Sequence, residues 1–420
     1  MPLVGSAEPI WTISALATAG VILRPLRLPE AIWAIAGAAA LVLFALLPWP
    51  DALKAIGQGT DVYLFLIGMM LLAELARQEG LFDWLAALAT RQAQGSARRL
   101  FVLVYLVGIV VTVFLSNDAT AVVLTPAVYA AARAARAEPL PYLFVCAFIA
   151  NAASFVLPIS NPANLVIFGS HMPSLVRWLA AFALPSLLAI LTTFVALRVM
   201  QRHALAQPIA RDPDLPRLPP GAGLAAGGIG ATALVLLGAS ALDRPLGLPT
   251  FLAGGCSVAA VLLYRRTAPW ALLRGVSWSV LPLVAGLFVL VAGIGRTGVL
   301  EHLAGALRSM AQHSGADAAW AAGILSAIAC NLANNLPVGL IAGSLGQADT
   351  PAGVTQALLI GIDLGPNLSV TGSLATILWL VALRREGVHV GAWQFLRLGL
   401  VVMPPALLLA LGGLLFGPAS

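Results

Sequence analysis

Ser116-Asn117-Asp118-Ala119-Thr120 and Asn331-Leu332-Ala333-Asn334-Asn335-Leu336-Pro337 interrupt two apolar runs, 101–132 and 318–345. Each run is long enough for two helical arms but carries polar groups in its middle. In hydrocarbon an unsatisfied polar or charged group costs several kcal/mol, so such residues sit where protein or water meets them. Each run therefore reads as a re-entrant hairpin, 100–132 and 316–348, whose tip carries the break to the membrane midplane. The rest of the chain reads as scaffold for the two tips.

Composition supports that frame. The 420 residues are 60% hydrophobic and 10% charged, against about 25% charged in a soluble protein. Mean hydropathy is +0.95. The fold class is an all-α polytopic membrane protein. The first eight residues hold no Lys or Arg, so they lack the basic region of a cleaved signal peptide, and the first apolar stretch reads as a retained span. The net charge of +6 fits Arg-rich cytoplasmic loops facing anionic lipid rather than a nucleic-acid partner. The three cysteines, Cys146, Cys256 and Cys330, have no metal-site or redox spacing. No P-loop is present, so the chain does not itself hydrolyse ATP, and no cofactor or metal is expected.

About 20 apolar residues cross a bilayer. Spans are expected at 10–28, 30–49, 61–78 and 174–201 in the first half, with a short interfacial helix at 80–92. A long segment, 139–172, is broken at Pro158-Ile159-Ser160-Asn161-Pro162-Ala163-Asn164, because Pro removes helical hydrogen bonds and Asn can replace them. Residues 202–221 form a Pro-rich charged linker. The second half, 222–420, repeats the plan of 1–201. Its spans are 222–242, 248–264, 279–297 and 391–416, and its short helix is 298–310. Its broken segment, 352–384, is interrupted at Asp363-Leu364-Gly365-Pro366-Asn367 and Thr371-Gly372-Ser373.

The halves keep register. Gly80-Leu81-Phe82-Asp83-Trp84-Leu85 lies 218 residues before Gly298-Val299-Leu300-Glu301-His302-Leu303, Ser116-Asn117-Asp118 lies 217 before Ala333-Asn334-Asn335, and Leu157-Pro158-Ile159-Ser160-Asn161 lies 211 before Leu368-Ser369-Val370-Thr371-Gly372. Five crossings per half is an odd number, so the second repeat is inverted. Inverted repeats with broken helices meeting at the midplane mark secondary transporters.

Positive charge tests the topology. With both termini outside and both hairpins returning to the side they left, 18 of the 23 Lys and Arg residues fall inside; Lys54, Arg177, Arg244, Arg296 and Arg308 fall outside. A first hairpin that crossed fully would carry Arg133 and Arg136 outward and invert every later loop. Ten crossings plus two hairpins is the better reading.

Asp118 is the sharpest candidate for chemistry. Surroundings of low dielectric favour the neutral form of a carboxyl group, so it can take up and release a proton. The plainer reading, that Ser116, Asn117 and Asp118 cap the second arm, can coexist with it. Asp363 follows the same logic beside a helix break. Glu74 lies in a span, but Arg77 one turn later makes a local pair the better account. Asn117, Thr120, Asn334 and Asn335 at the tips, with Ser160, Asn161, Asn164, Thr371, Gly372 and Ser373 at the breaks, offer neutral hydrogen-bonding groups and free helix ends. They suit a small hydroxyl-rich solute, and singly each can be glue between helices. No Arg or Lys lies in either break, which disfavours dicarboxylates and sulfate. Cys330 borders the second tip, but one thiol does not make a tight trivalent site, and buried free Cys behaves as a small hydrophobe.

With these residues in hand, the sequence resembles the arsenite efflux permeases of bacteria and archaea, within the larger ion transporter superfamily. The resemblance rests on Ser116-Asn117-Asp118-Ala119-Thr120 with Leu124-Thr125-Pro126, on Ile159-Ser160-Asn161-Pro162-Ala163-Asn164, on Asn334-Asn335-Leu336-Pro337, and above all on the stretch from Asp363-Leu364-Gly365-Pro366-Asn367 to Thr371-Gly372-Ser373-Leu374-Ala375-Thr376. It covers essentially the whole chain. It implies arsenic resistance at the inner membrane through efflux of arsenite and antimonite, driven by inward proton movement. Some members work with a separate soluble ATPase subunit. At neutral pH arsenite is chiefly the uncharged trihydroxide, for which amide and hydroxyl partners suffice. Exchange for one proton moves one charge, worth about 2.3 kcal/mol per 100 mV. The rival is a Na+/H+ antiporter using the same carboxylates as cation ligands. A membrane-embedded enzyme is disfavoured by the lack of a His/Glu metal motif or of a nucleophile with its base.

Overall fold

The computed structural model describes residues 7–169, 172–210, 218–346 and 351–416, without the side chains of Arg27 and Gly346. The leading residues 1–6, the linker centre with Arg211 and Arg217, and the ends of 139–172 and 316–348 fall outside the described residues in whole or in part.

The first half runs α1 (Ala7–Leu23), α2 (Glu30–Leu43), α3 (Trp49–Gln58), α4 (Thr60–Gln78), α5 (Leu81–Gln92), α6 (Ala97–Phe114), α7 (Asn117–Ala119), α8 (Thr125–Ala134), α9 (Leu140–Ala152), α10 (Pro162–Phe168) and α11 (Leu175–Met200). A π turn, Thr120–Leu124, joins α7 to α8. The second half runs α12 (Pro220–Ala241), α13 (Gly247–Arg265), α14 (Trp270–Gly275), α15 (Val280–Gly295), α16 (Val299–His313), α17 (Gly315–Ala333), α18 (Asn335–Gly346), α19 (Ala352–Leu364), α20 (Leu374–Arg385) and α21 (Ala392–Phe416). Among the described residues the only β pairing is the isolated bridge of Ser96 with Pro208.

Six helices, α6, α11, α12, α13, α17 and α21, are each long and apolar enough to cross a membrane; the bent pairs α3–α4 and α15–α16 raise that to eight. The protein is an all-helical polytopic membrane protein. Several boundaries differ from expectation. Residues 30–49 do not make one span: α2 stops at Leu43, the backbone turns back through Ala45 at φ 55°, and α3 starts after Pro48. α1 and α2, at 17 and 14 residues, fall short of a full span. The hairpin arms α6 and α17, at 18 and 19 residues, are longer than a half-depth arm needs. Gly80 and Gly298 precede α5 and α16 with φ of 74° and 78°. That left-handed turn favours glycine, and the two positions lie 218 residues apart.

Packing follows a pattern that survives exchange of the halves. α4 packs on α13, and α15 on α2. Gly68 lies against the Thr250 carbonyl and Gly286 against Ala34, so both cross-half pairs approach over small residues. α6 packs on α9, and α17 on α19. α10 packs on α18, and α20 on α7, α8 and the π turn between them. α11 pairs with α21. The linker fixes one hairpin end against the other: the Ile209 N–H donates to the Gly95 carbonyl and the Ala210 N–H to the Ala135 carbonyl. Linker residues thus touch both the turn before α6 and the turn after α8.

Candidate functional site

Each break is built by its own polar residues. α6 ends at Phe114, and Ser116 caps the next turn, its Oγ accepting the Ala119 N–H at 3.1 Å. Asn117 Oδ1 accepts the Asp118 N–H at 2.9 Å. The second tip turns at Asn334, whose φ of 72° is a conformation Asn tolerates better than most side chains. Its Nδ2 donates to the Thr371 carbonyl, and the Asn335 N–H donates to the Gly372 carbonyl at 2.9 Å. Tip and break of the second half are thus tied backbone to backbone. Gly372 has no room for a side chain, since a Cβ would press on Pro366 Cα and on Asn331 Oδ1.

The broken helices are capped in parallel. Asn161 accepts the Ala163 N–H and starts α10; Ser373 accepts the Thr376 N–H and starts α20. Each cap also reaches into the opposite half. Asn161 Nδ2 donates to Asp363 Oδ1 at 2.7 Å, and Ser373 Oγ donates to Asn151 Oδ1 at 3.4 Å. Asn151 and Asp363 each stand one residue before the end of a 13-residue helix, 212 residues apart. One site of the pair is acidic and the other neutral. Asp363 is buried, and its Oδ2 has no hydrogen-bond partner among the described residues.

A small cavity lies between the tips and the two cross-half helices. Asn117, Asp118, Asn161 and Asn335 form its polar side. Val62 and Leu66 of α4, Val280 and Val284 of α15, and Pro162, Leu336, Leu374 and Ala375 complete its lining. Among the described residues no Lys or Arg lines it. Asp118 is half-buried, and its carboxylate has no hydrogen-bond partner among the described residues. Asn335 Oδ1 is likewise unpartnered. A wider cleft shares Val62 with this cavity and is bordered by Gln58, Asp61, Gly169 and Ser344.

Of the residues singled out from the sequence, four therefore line the cavity. The rest hold its walls. Thr120 shares a hydrogen bond with Thr112 at 2.8 Å. Ser160 donates to the Val113 carbonyl. Asn164 donates to the carbonyls of Ser154, Leu157 and Pro158. Thr371 donates to the Asn331 carbonyl. Ser116, Asn334, Gly372 and Ser373 shape the turns as described. Asp363 lies behind Asn161 rather than on the cavity wall. Glu74 is bound by Arg77 and Gln78 as a local pair, and the Cys330 thiol donates to the Ile362 carbonyl.

Three positions were not foreseen. Asn151 donates to Asn367 Oδ1 at 3.0 Å. Asn367 donates to the Phe148 carbonyl. Asn331 links the Ala327 and Gly365 carbonyls to Ser369 Oγ. The available signal was an amide inside an apolar helix, as in Ala150-Asn151-Ala152.

Residues 17–361 match the family CitMHS, described as citrate transporter. The arsenical pump membrane protein of Escherichia coli is 30% identical over 83% of this chain and 84% of its own length. The chain belongs to the CitMHS transporter family, among the arsenical pump membrane proteins. The arsenical pump membrane protein of Yersinia enterocolitica is 28% identical to the permease over the same shares. Among solved structures, the YdaH transporter of Alcanivorax borkumensis, described as having an unusual topology, superposes with a TM-score of 0.58 at 14% identity, over 87% of this chain and 88% of that one. That likeness concerns the fold alone. The permease is a multi-pass membrane transporter and not an enzyme. Its bacterial relatives imply the inner membrane.

Proposed function

We propose that the permease exports trivalent arsenic, as the neutral trihydroxide, and antimonite in exchange for protons. One observation carries the reading: the cavity between the two breaks presents a carboxylate and amides and no cation. A neutral polyhydroxyl solute finds partners there, whereas a tricarboxylate such as citrate would bring several negative charges to a site with nothing to balance them. The arsenical pump relatives favour the metalloid over Na+/H+ exchange.

In this mechanism Asp118 takes a proton from outside and gives it up inside, alternating with solute on the same cavity wall. Asp363 is the second proton carrier. It acts through Asn161, which touches both Asp363 and the cavity. The halves 1–201 and 222–420 are inverted repeats with both termini outside. The hairpins, 100–132 and 316–348, bring their tips to the midplane, and the packing pattern that survives exchange of halves supports this. The cleft reaching Val62 is the outer access route, because Gln58, Asp61 and Gly169 lie at the expected outer ends of their segments.

The test uses cells stripped of their own arsenite exporters. The wild-type chain should lower cellular arsenic and raise tolerance to arsenite and antimonite, and Asp118→Asn should do neither. Unchanged arsenic content with well-expressed wild-type protein would sink the substrate assignment.

A further inference from the structure

The cavity lining is part polar and part apolar, and its uncommitted polar groups come in two clusters. Asn161 has each of its polar atoms in one hydrogen bond, Nδ2 to Asp363 and Oδ1 from the Ala163 N–H. Asn117 spends its Oδ1 on the Asp118 N–H, leaving its amide N–H groups free. What remains is Asn117 with the Asp118 carboxylate on the first tip, and the Asn335 side chain on the second, with its buried Oδ1 unpartnered. Val62, Leu66, Val280 and Val284, from α4 and α15, belong to its apolar lining and offer no donor or acceptor.

A pyramidal trihydroxide can place one hydroxyl on each cluster. Its third hydroxyl then turns towards the valine and leucine wall or competes for a partner already used. An apolar substituent at that third position loses nothing and gains contact. We infer that the permease also takes trivalent metalloids carrying two hydroxyls and one small alkyl group, with the hydroxyls held between the two tips and the alkyl group against α4 and α15. This rests on the metalloid reading above. It extends that reading from the trihydroxide to its monoalkyl derivatives. Burying one methyl-sized group is worth about fourfold in affinity, so the derivative should bind at least as tightly as the trihydroxide.

The experiment compares gradient-driven uptake of arsenous acid and of monomethylarsonous acid into everted vesicles, each corrected for vesicles lacking the protein. Both should accumulate, with an apparent KM for the methyl compound equal to or a few-fold below that for the trihydroxide. Val284→Thr keeps the shape of the wall and adds a hydroxyl, so it should move the preference several-fold towards the trihydroxide. Uptake of arsenous acid with none of the methyl compound would overturn the inference and leave the proposed function standing. A preference indifferent to Val284→Thr would also overturn it, because the wall would then not sense the third substituent. Uptake of neither compound by folded protein would overturn both.

Discussion

At the residue scale, a half-buried carboxylate without a partner and a buried carboxylate with one partnered oxygen make different claims. Asp118 faces the cavity, so Asp118→Asn keeps size and hydrogen-bonding reach but removes the exchangeable charge. Gradient-driven arsenite accumulation should fall more than tenfold, with protein level and melting temperature near wild type. Asp363 instead leans on Asn161. Asn161→Ala removes the cap of α10 and leaves Asp363 Oδ1 unpaired. Losing a cap costs about 1 kcal/mol, and stranding a buried acceptor about 1–3 kcal/mol. Melting in detergent should show a drop of several degrees, which Asn161→Asp would not reproduce through the cap. Asp118, Asn117 and Asn335 were legible in the sequence because polar groups in apolar runs need a reason. Which of their neighbours line the cavity was not legible. Thr120 and Asn164 have the same chemistry but point into the protein, and side-chain direction depends on packing from the other half.

At the element scale, the breaks were legible, as was the cap at Ser116, whereas the caps at Asn161 and Ser373 and several lengths were not. Pro and Asn clusters mark where helical hydrogen bonding fails, so α9–α10 and α19–α20 part near the expected places. The end of α2 at Leu43 depends on a left-handed turn at Ala45, which no glycine announces. The register across the halves also shifts by one. The helices after the tips start at Asn117 and Asn335, 218 residues apart, which sets Asn117 against Asn335 and Asp118 against Leu336. The sequence match of 217 had aligned Asp118 with Asn335. Close packing at the breaks gives a contrast to measure. A Cβ at Gly365 would press on the backbone of Ala327, whereas one at Gly227 meets nothing within 4 Å. Gly365→Ala should destabilise by about 1–3 kcal/mol, the usual cost of overpacking. Gly227→Ala should be neutral or raise stability by about 0.5–1 kcal/mol through helix propensity. Thermal unfolding of the purified protein reads both.

At the scale of the whole molecule, composition was enough for a polytopic helical bundle, while the two related halves remain a proposal that rests on the offset between motifs. The cross-half exchange was not legible. α10 packs on α18, and α20 on α7, α8 and the π turn between them, so each broken helix meets the polar break of the other half. The topology makes its own prediction. In a protein freed of its native cysteines, Arg136→Cys should react with an impermeant thiol reagent only from the cytoplasmic side, and Lys54→Cys only from outside. Labelling of both from one side would overturn the inverted arrangement.

Exchange of a neutral arsenic species for protons through the cavity at Asp118 is tested most directly by arsenite uptake into everted membrane vesicles with an imposed proton gradient. Accumulation should appear with the gradient, collapse on adding a protonophore and be absent in Asp118→Asn. Sodium-driven proton movement without arsenite flux would contradict the account and turn the same fold to cation exchange.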